Sequence, residues 1–305
     1  MSGAERALLS LREKAQAVAC RQIKVGRLRR TFKGHVYKIN VSFEIKGGIR
    51  LYAPNQDVFR ALRGSNIEDI IDVGIDVASL ASDPSVAFKW VQSNIQPFSQ
   101  DVNFYYIAVG NELIPGPQAQ NVLPAMQNVQ NALQSIGLQD KIKVSTSIST
   151  VVIGNSYPPS AGAFSSYTLP TLQPIIGFLT GTGAPLLANV YPYFSYIDNL
   201  NTVTLAYALF TSPRSVVSNG QLQYQNLFDA TVDALYTALE KVGGNNIAIV
   251  VSKSGWPSDG GVGATTENAQ TYVSNLIRHV GQGTPKRPGN YINTFIFAMF
   301  DENMN

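Results

Sequence analysis

The sequence predicts an eight-stranded parallel β/α barrel, a (β/α)8 fold, and three observations carry this prediction. From Gly47 onward, short apolar runs alternate with amphipathic stretches of helical period. The runs are almost continuously apolar, as in the strands of a parallel sheet that is covered on both faces. Seven such runs in about 260 residues fit the spacing of a barrel in which a helix follows each strand.

The predicted strands are apolar segments that end in turn-forming or polar residues. They cover residues 48–54, 67–74, 103–113, 141–149, 184–194, 246–256 and 293–303. An eighth strand would have to come from the N-terminal 46 residues, and the alternating segment YKINVSFEI (37–45) is the candidate.

The helices are predicted between these strands. The amphipathic stretches are NQDVFRALRG, SVAFKWVQSNI, LPAMQNVQNALQSIG, NLFDATVDALYTALEKVGG and NAQTYVSNLIRHVG. Gly137, Gly243 and Gly281 follow three of them, at the position where helices often end in left-handed backbone. No Gly-x-Gly-x-x-Gly motif follows the first strands, so a dinucleotide-binding sheet lacks support.

The charge divides the chain into two parts. Residues 1–46 contain eleven Lys/Arg and three Glu, whereas residues 47–305 contain twelve Lys/Arg and seventeen Asp/Glu, which gives +3 overall. We therefore predict a basic N-terminal arm, 1–46, and a barrel domain, 47–305. A basic arm suits nucleic acid or a membrane surface, but only Phe32 and Tyr37 are available as interleaved aromatics, and a solvated extension is expected instead.

Other features of the sequence limit the possible chemistry and location. Cys20 is the single cysteine and His35 and His279 are the two histidines, so neither a disulfide framework, a zinc site nor a Ser-His-Asp triad is expected. His279 near a helix C-terminus suits the helix dipole. The arm lacks an apolar segment followed by a small-residue cleavage site, so it does not read as a secretory signal. No apolar run reaches the length of a membrane span.

Polar or ionisable groups follow the apolar runs at four predicted strand ends. These ends read Gly110-Asn111-Glu112, Tyr191-Pro192-Tyr193-Phe194, Lys253-Ser254-Gly255-Trp256 and Phe300-Asp301-Glu302-Asn303. Barrel enzymes place their chemistry at the C-terminal ends of the strands, so these groups are expected around one mouth.

A carboxyl group among aromatic side chains suggests glycoside hydrolysis, which uses two carboxyl groups on either side of the scissile bond. Glu112 is the candidate acid, because a carboxyl group buried beside aromatic rings keeps its proton near neutral pH. Asn111 could donate to a sugar hydroxyl. A structural salt bridge is the alternative explanation of this Asn-Glu pair.

Tyr191, Tyr193, Phe194 and Trp256 are candidate platforms on which sugar rings stack. Strand alternation predicts that Tyr191 and Tyr193 share a direction and that Phe194 points elsewhere. Packing in the core is the alternative for each of these side chains.

Nine segments together resemble the plant endo-1,3-β-glucanases of glycoside hydrolase family 17. They are GIRLYAPNQDVFRALRGSNIE, YIAVGNEL, VLPAMQNVQNAL, KVSTSIS, SYPPSAGAF, PLLANVYPYF, LFDATVDAL, SGWPS and FIFAMFDEN. The resemblance runs from about Gly47 to Asn303. It implies a (β/α)8 barrel with a long cleft for β-1,3-glucan, a retaining mechanism, a monomer, no metal or cofactor, and a secreted or vacuolar location.

The resemblance also carries over site residues. The acid of the family's VGNE block falls on Glu112, and the nucleophile of its SESGWPS block falls on Lys253. The supporting glutamate of its NENQK block falls on Glu302, and the lysine that ends that block falls on Asn305.

The chain departs from the family pattern in three ways. A lysine stands at the nucleophile position, and we expect it to pair with Glu112 and keep that carboxyl group ionised. The family's first strand and helix, near GVCYG, are replaced by the basic arm. Without that unit, two strand edges would be exposed. The chain ends at Asn305, before the family's last helix, so its final strand would have nothing to cover it.

These departures leave three alternatives open: a working glucanase, a glucan-binding protein without turnover, or a non-functional product. The replacement of the nucleophile would lower the hydrolysis rate by about 10⁴–10⁶.

Overall fold

The computed structural model describes residues 18–21 and 47–298 of the chain. The strands in these ranges are β1 (Val18–Arg21), β2 (Gly48–Leu51), β3 (Glu68–Asp72), β4 (Asn103–Asn111), β5 (Lys143–Ser149), β6 (Ile153–Asn155), β7 (Ala163–Phe164), β8 (Leu186–Asn189), β9 (Val217–Asn219), β10 (Leu222–Tyr224), β11 (Ile249–Ser254), β12 (Gly283–Thr284), β13 (Arg287–Pro288) and β14 (Thr294–Ile296). Eight of them close a barrel in the order β1-β14-β11-β8-β5-β4-β3-β2, and the others form short hairpins.

Helices connect the barrel strands and cover their outer face. They are α1 (Gln56–Leu62), α2 (Val77–Ser82), α3 (Pro84–Asn94), α4 (Ala119–Ser135), α5 (Leu169–Thr182), α6 (Pro192–Asp198), α7 (Leu205–Ala208), α8 (Leu227–Lys241) and α9 (Thr266–His279), with 3-10 turns at Gln96–Phe98, Thr150–Val152 and Pro159–Ala161. Side-chain hydrogen bonds cap the N-termini of several helices. At the start of α8, for example, the side chain of Asn226 accepts a hydrogen bond from the amide of Asp229 at 2.8 Å. None of the helices in the described ranges combines the length and apolar character needed to cross a bilayer.

The predicted barrel class is confirmed, and its eighth strand differs from the other seven. Within the described residues, seven barrel strands run parallel, whereas β1 pairs antiparallel with both β2 and β14. The eighth strand does come from the first 46 residues, but from Val18–Arg21; the candidate segment 37–45 lies outside the described residues. By pairing with both neighbours, β1 covers edges that would otherwise expose unpaired backbone groups.

Two predictions of local structure differ from the fold. The predicted strand 184–194 ends at Asn189, because Pro192 occupies the first position of α6, where its missing amide costs nothing. The sequence does not predict α5, because Pro170 and Pro174 interrupt its helical pattern. The predicted strand 293–303 is present as β14, and its residues beyond 298 lie outside the described range.

The core has an inner and an outer layer. A small apolar cluster fills the barrel from alternate positions of its strands, and consists of Ile70, Tyr106, Ala108, Leu187, Val250 and Phe295. A much larger cluster packs the strands against the helices. At the C-terminal side, the barrel interior becomes polar, and this change marks the site described next.

Candidate active site

Arg50, on β2, forms the centre of a polar network that reaches four other strands at the C-terminal side of the barrel. Its guanidinium binds the Asp72 carboxylate through two hydrogen bonds, from Nε at 3.0 Å and from Nη2 at 2.8 Å. It also donates to the Oδ1 atoms of Asn111, at 3.0 Å, and Asn189, at 3.3 Å, and to the backbone oxygen of Ser252, at 3.3 Å. Arg50 is fully buried, so this ion pair is shielded from water.

Glu112 lies at the mouth of the barrel, directly after β4. Its φ is +58°, and such left-handed backbone costs a residue other than glycine about 1–2 kcal/mol. A 2.7 Å hydrogen bond from its amide to the carbonyl of Ser147 holds the turn. The side chain is exposed, so the expected burial of Glu112 is wrong: the residue follows the last residue of its strand and points to the opening.

One oxygen of the Glu112 carboxylate is held by Asn189 of β8, which is separated from β4 by β5 in the barrel. The Nδ2 atom of Asn189 donates to Oε1 of Glu112 at 2.6 Å and to Oδ1 of Asn111 at 3.0 Å. The Oδ1 atom of Asn189 accepts from the hydroxyl of Ser252 at 2.9 Å. The network around Arg50 is therefore connected to Glu112.

Lys253 lies on β11, half-buried, and its ammonium faces aromatic rings. The Nζ atom is 4.5 Å from the ring centre of Tyr52 and 4.9 Å from that of Phe297. These two rings meet edge to face at 5.9 Å. Such contacts attract a cation through the negative faces of the rings. The ion pairs between described residues do not include the expected one between Lys253 and Glu112.

The electrostatics of the site follow from its burial. Burial raises the pKa of Asp72 above its usual value, and the charges of Arg50 and Lys253 oppose that rise. Burial also raises the pKa of Tyr191, and the nearby Glu112 carboxylate adds to it, so the phenol stays protonated. Tyr191 and Glu112 therefore belong to one electrostatic neighbourhood.

The predicted aromatic residues divide into buried and exposed side chains. Tyr193 and Trp256 are only 8% and 7% exposed, and their rings pack at 5.0 Å. Phe194 is 55% exposed and contacts the rings of Tyr191 and Tyr193, each at 5.6 Å. The expected strand alternation of these residues is wrong, because residues 192–198 form helix α6.

A cavity of about 390 Å³ opens beside this network. Tyr52, Asp72, Asn111, Leu113 and Gln118 contribute to its lining. Its polar edge is therefore formed by members of the network described above. Among the described residues, no group of His, Cys, Asp or Glu is arranged to hold a metal ion. Glu302 lies outside the described residues.

The sequence also contained signals for three residues that the prediction missed. Arg50, Asp72 and Asn189 are polar residues within or at the end of apolar strand segments, GIRL, EDIID and LLAN. The rule that selected Glu112, a polar residue at the C-terminal end of a barrel strand, also applies to Asp72 and Asn189. Arg50 stands out because arginine is rarely buried without a partner.

A closed β/α barrel whose strand ends bring together a carboxyl group, two asparagine amides and aromatic rings is the arrangement expected of a glycoside-hydrolysing barrel protein. Residues 35–305 match the profile of the glycosyl hydrolases family 17, and the chain belongs to this family. The matched range begins within the basic arm.

Curated relatives and solved structures agree with this assignment. The chain is 57% identical over 262 residues to a glucan endo-1,3-beta-glucosidase of Vitis vinifera, an alignment that covers 84% of this chain and 76% of the relative. It is 54% identical over 260 residues to the acidic isoform GI9 of that enzyme from Nicotiana tabacum, with 84% and 75% covered.

Two solved structures share its fold closely. One, from a study of two plant beta-glucan endohydrolases with distinct substrate specificities, superposes with a TM-score of 0.81 at 47% identity, covering 85% of this chain and 83% of that one. The other is CJP38, a beta-1,3-glucanase and allergen of Cryptomeria japonica pollen, with a TM-score of 0.80, 48% identity and coverages of 84% and 82%.

Proposed function

We propose that this protein takes β-1,3-glucan in a cleft of the endo-1,3-β-glucanase type. Glu112 is the acid, and position 253 is the seat of the nucleophile. The observation that carries the proposal is the similarity to glucan endo-1,3-beta-glucosidases over 84% of the chain, together with a carboxylate held by Asn189 at the barrel mouth. In this proposal the basic arm, residues 1–46, contributes strand β1 to the closed barrel.

The chemistry of the acid side is supported by the geometry of Glu112. In a retaining glycosidase, one carboxyl group protonates the leaving oxygen while a second, about 5 Å away, attacks the sugar. Asn189 holds one oxygen of Glu112, and no other side chain among the described residues donates to that carboxyl group. We assign proton transfer to the second oxygen of this carboxyl group. Asn111 uses Oδ1 to accept from Arg50 and Asn189, so its Nδ2 is oriented to serve a sugar hydroxyl.

Sugar contacts are assigned to the exposed aromatic surface. Phe194 and Tyr191 offer ring surface at the mouth, and we assign stacking to them. Tyr193 and Trp256 lie beneath and support this wall. Glu302 retains the supporting role that the family pattern implies.

Lys253 opposes the hydrolytic step. An ammonium group cannot form the glycosyl ester that a carboxylate forms, and its positive charge opposes an oxocarbenium-like transition state. The expected loss of rate is about 10⁴–10⁶. Lys253 therefore favours a second function for the chain as it stands, which is binding of β-1,3-glucan without detectable turnover.

The hydrolytic step is tested by release of reducing sugar from a soluble β-1,3-glucan. The parent protein is expected to release no reducing sugar. The matched control for Lys253→Glu is Lys253→Gln, which removes the charge without supplying a carboxylate. Lys253→Glu is expected to restore part of the activity, short of family-like turnover, because an antiparallel β1 replaces the family's first strand. Clear release by the parent would contradict the role of Lys253, and full activity of the variant would contradict the role of β1.

Binding is tested separately by electrophoresis in gels with and without β-1,3-glucan. The parent band is expected to be retarded in the glucan gel, and Phe194→Ala is expected to weaken the retardation. An unretarded parent band would count against a glucan-binding cleft.

A further inference from the structure

Asn189 lies inside the barrel at the end of β8, where every polar atom of its amide has a partner. It is 1% exposed. Its oxygen accepts from Arg50 Nη1 at 3.3 Å and from Ser252 Oγ at 2.9 Å. Its nitrogen donates to Asn111 Oδ1 at 3.0 Å and to Glu112 Oε1 at 2.6 Å.

These four contacts allow one orientation of the amide. The donors lie on one side and the acceptors on the other, so a flipped amide would place nitrogen against the donors and oxygen against the acceptors. Arg50 in turn cannot rotate away, because the Asp72 carboxylate binds it at two points. The orientation of Asn189 is therefore set by groups on four other strands, β2, β3, β4 and β11.

The same network strengthens the bond from Asn189 to Glu112. A cation at the amide oxygen polarises the amide and makes its N–H groups better donors, and the acceptor is a carboxylate. Glu112 itself is exposed and emerges from a left-handed turn, so its side chain is restrained less by packing than by this contact. Without Asn189, the carboxyl group would sample several rotamers at the mouth.

We infer that Asn189 is the residue that positions the acid Glu112, and that Arg50, Asp72 and Ser252 hold Asn189 in the orientation this requires. The inference rests on the proposed function for the role of Glu112 as an acid. Asn189 acts through Glu112 and is a positioning residue, not a group that reacts with the sugar.

The contact is tested first by NMR on protein labelled with ¹⁵N-asparagine, which needs no turnover. The Asn189 side-chain amide is identified by its loss in Asn189→Asp. In Glu112→Gln, its proton signal is expected to move upfield, because a neutral amide replaces the carboxylate acceptor. Ser252→Ala is expected to produce a smaller shift in the same direction.

The matched control in the same spectra is Asn128, whose amide donates to the carbonyls of Leu80 and Ala81 away from the site. Its signals are expected to stay in place. An Asn189 signal that is unchanged in Glu112→Gln would overturn the inference.

The consequence for catalysis is tested in the Lys253→Glu background with two substrates. β-1,3-Glucan needs an acid for its leaving group, whereas a dinitrophenyl glycoside of a β-1,3-linked oligosaccharide does not. Asn189→Ala is expected to lower kcat/KM for glucan by about 10²–10⁴, and kcat/KM for the dinitrophenyl substrate much less. This ratio reports the first step of the reaction, before Glu112 acts as the base that activates water for either substrate. Ser252→Ala is a milder change. It is also expected to lower cleavage of glucan more than cleavage of the dinitrophenyl substrate, but by a smaller factor than Asn189→Ala.

An equal loss of kcat/KM on both substrates would indicate a merely structural residue and overturn the positioning role. If Lys253→Glu hydrolyses neither substrate, the proposal that residue 253 is the nucleophile position is contradicted. The NMR comparison still decides whether Asn189 holds Glu112.

Discussion

Asp69 is a buried carboxyl group that its surroundings do not compensate, and its replacement is expected to stabilise the protein. It lies on β3, fully buried, opposite Ile49 and Phe104 in the register. Neither of its carboxyl oxygens has a hydrogen-bond partner among the described residues. Burial raises the pKa of Asp69 well above its ordinary value, and the nearby Asp72 carboxylate adds to the rise.

The expected magnitude has two parts. An unsatisfied polar group costs about 1–3 kcal/mol in protein interiors. When the pKa of an acid is higher in the folded chain than in the unfolded chain, the free energy of unfolding falls as pH rises between the two pKa values. For Asp69 this fall begins at its unfolded pKa near 4 and ends once the folded pKa is passed. The limiting slope is about 1.4 kcal/mol per pH unit. Asp69→Val removes both the unsatisfied polar group and the pH-dependent loss of stability, and valine is well suited to a strand.

The assay is urea unfolding of the parent, Asp69→Val and Asp69→Asn between pH 4 and pH 8, a range set by the unfolded pKa. Asp69→Val is expected to gain about 1–3 kcal/mol at the acidic end, and the gain should grow as pH rises. Asp69→Asn, the matched control, removes the proton equilibrium but keeps a buried polar group. Asp69→Asn should therefore abolish the part of the pH dependence of stability that Asp69 causes. Its gain in unfolding free energy at the acidic end should be smaller than that of Asp69→Val.

The difference between parent and variant is the informative quantity, because other groups titrate in the same range. Burial raises the pKa of Asp233 to about 6, which gives the parent and both variants a slope of the same sign. Equal stabilities of parent and Asp69→Val at every pH would refute the reasoning about Asp69.

Two further predictions concern the architecture of the mouth. Arg50→Met is expected to lower the free energy of unfolding by about 3–5 kcal/mol, because it leaves Asp72 buried without its partner. In urea unfolding, the double variant with Asp72→Leu should recover much of that loss. An unchanged stability of Arg50→Met would contradict the importance of the pair. Gly255→Ala is expected to cost about 1–3 kcal/mol in thermal unfolding, because the added methyl group would collide with the carbonyl oxygen of Phe297. Gly177→Ala, in α5 with open space around it, is the control and should stabilise by about 0.5–1 kcal/mol; equal effects of the two changes would show that the contact with Phe297 is unimportant.

The sequence was most informative where periodicity reports burial. The alternation of apolar runs with helical stretches predicts the barrel class because each run must be covered on both faces. The strand-end rule then selects Glu112 and Lys253, since all parallel strands end at the same mouth. Both residues do lie at the ends of barrel strands, β4 and β11.

The pattern was less informative about the turns that follow the strands. The left-handed φ of Glu112, which leaves its side chain exposed, is a property of a turn held by a hydrogen bond to Ser147 on β5. The helix that begins at Pro192 likewise redirects the aromatic residues after β8. The alternation predicted for Tyr191, Tyr193 and Phe194 fails because the strand ends at Asn189, and the burial expected for Glu112 fails because the turn exposes its side chain.

What could be known from the chain alone was therefore the barrel, the family pattern and the presence of a lysine where a nucleophile is expected. These depend on local periodicity and on residue identity, both of which are written along the sequence. The tertiary structure decided that Arg50 and Asn189, 139 residues apart, meet inside the barrel and that Asn189 holds Glu112. It also decided that Lys253 lies against Tyr52 and Phe297. Such contacts depend on barrel closure and on the register between strands, and neither is encoded in the order of residues within one strand.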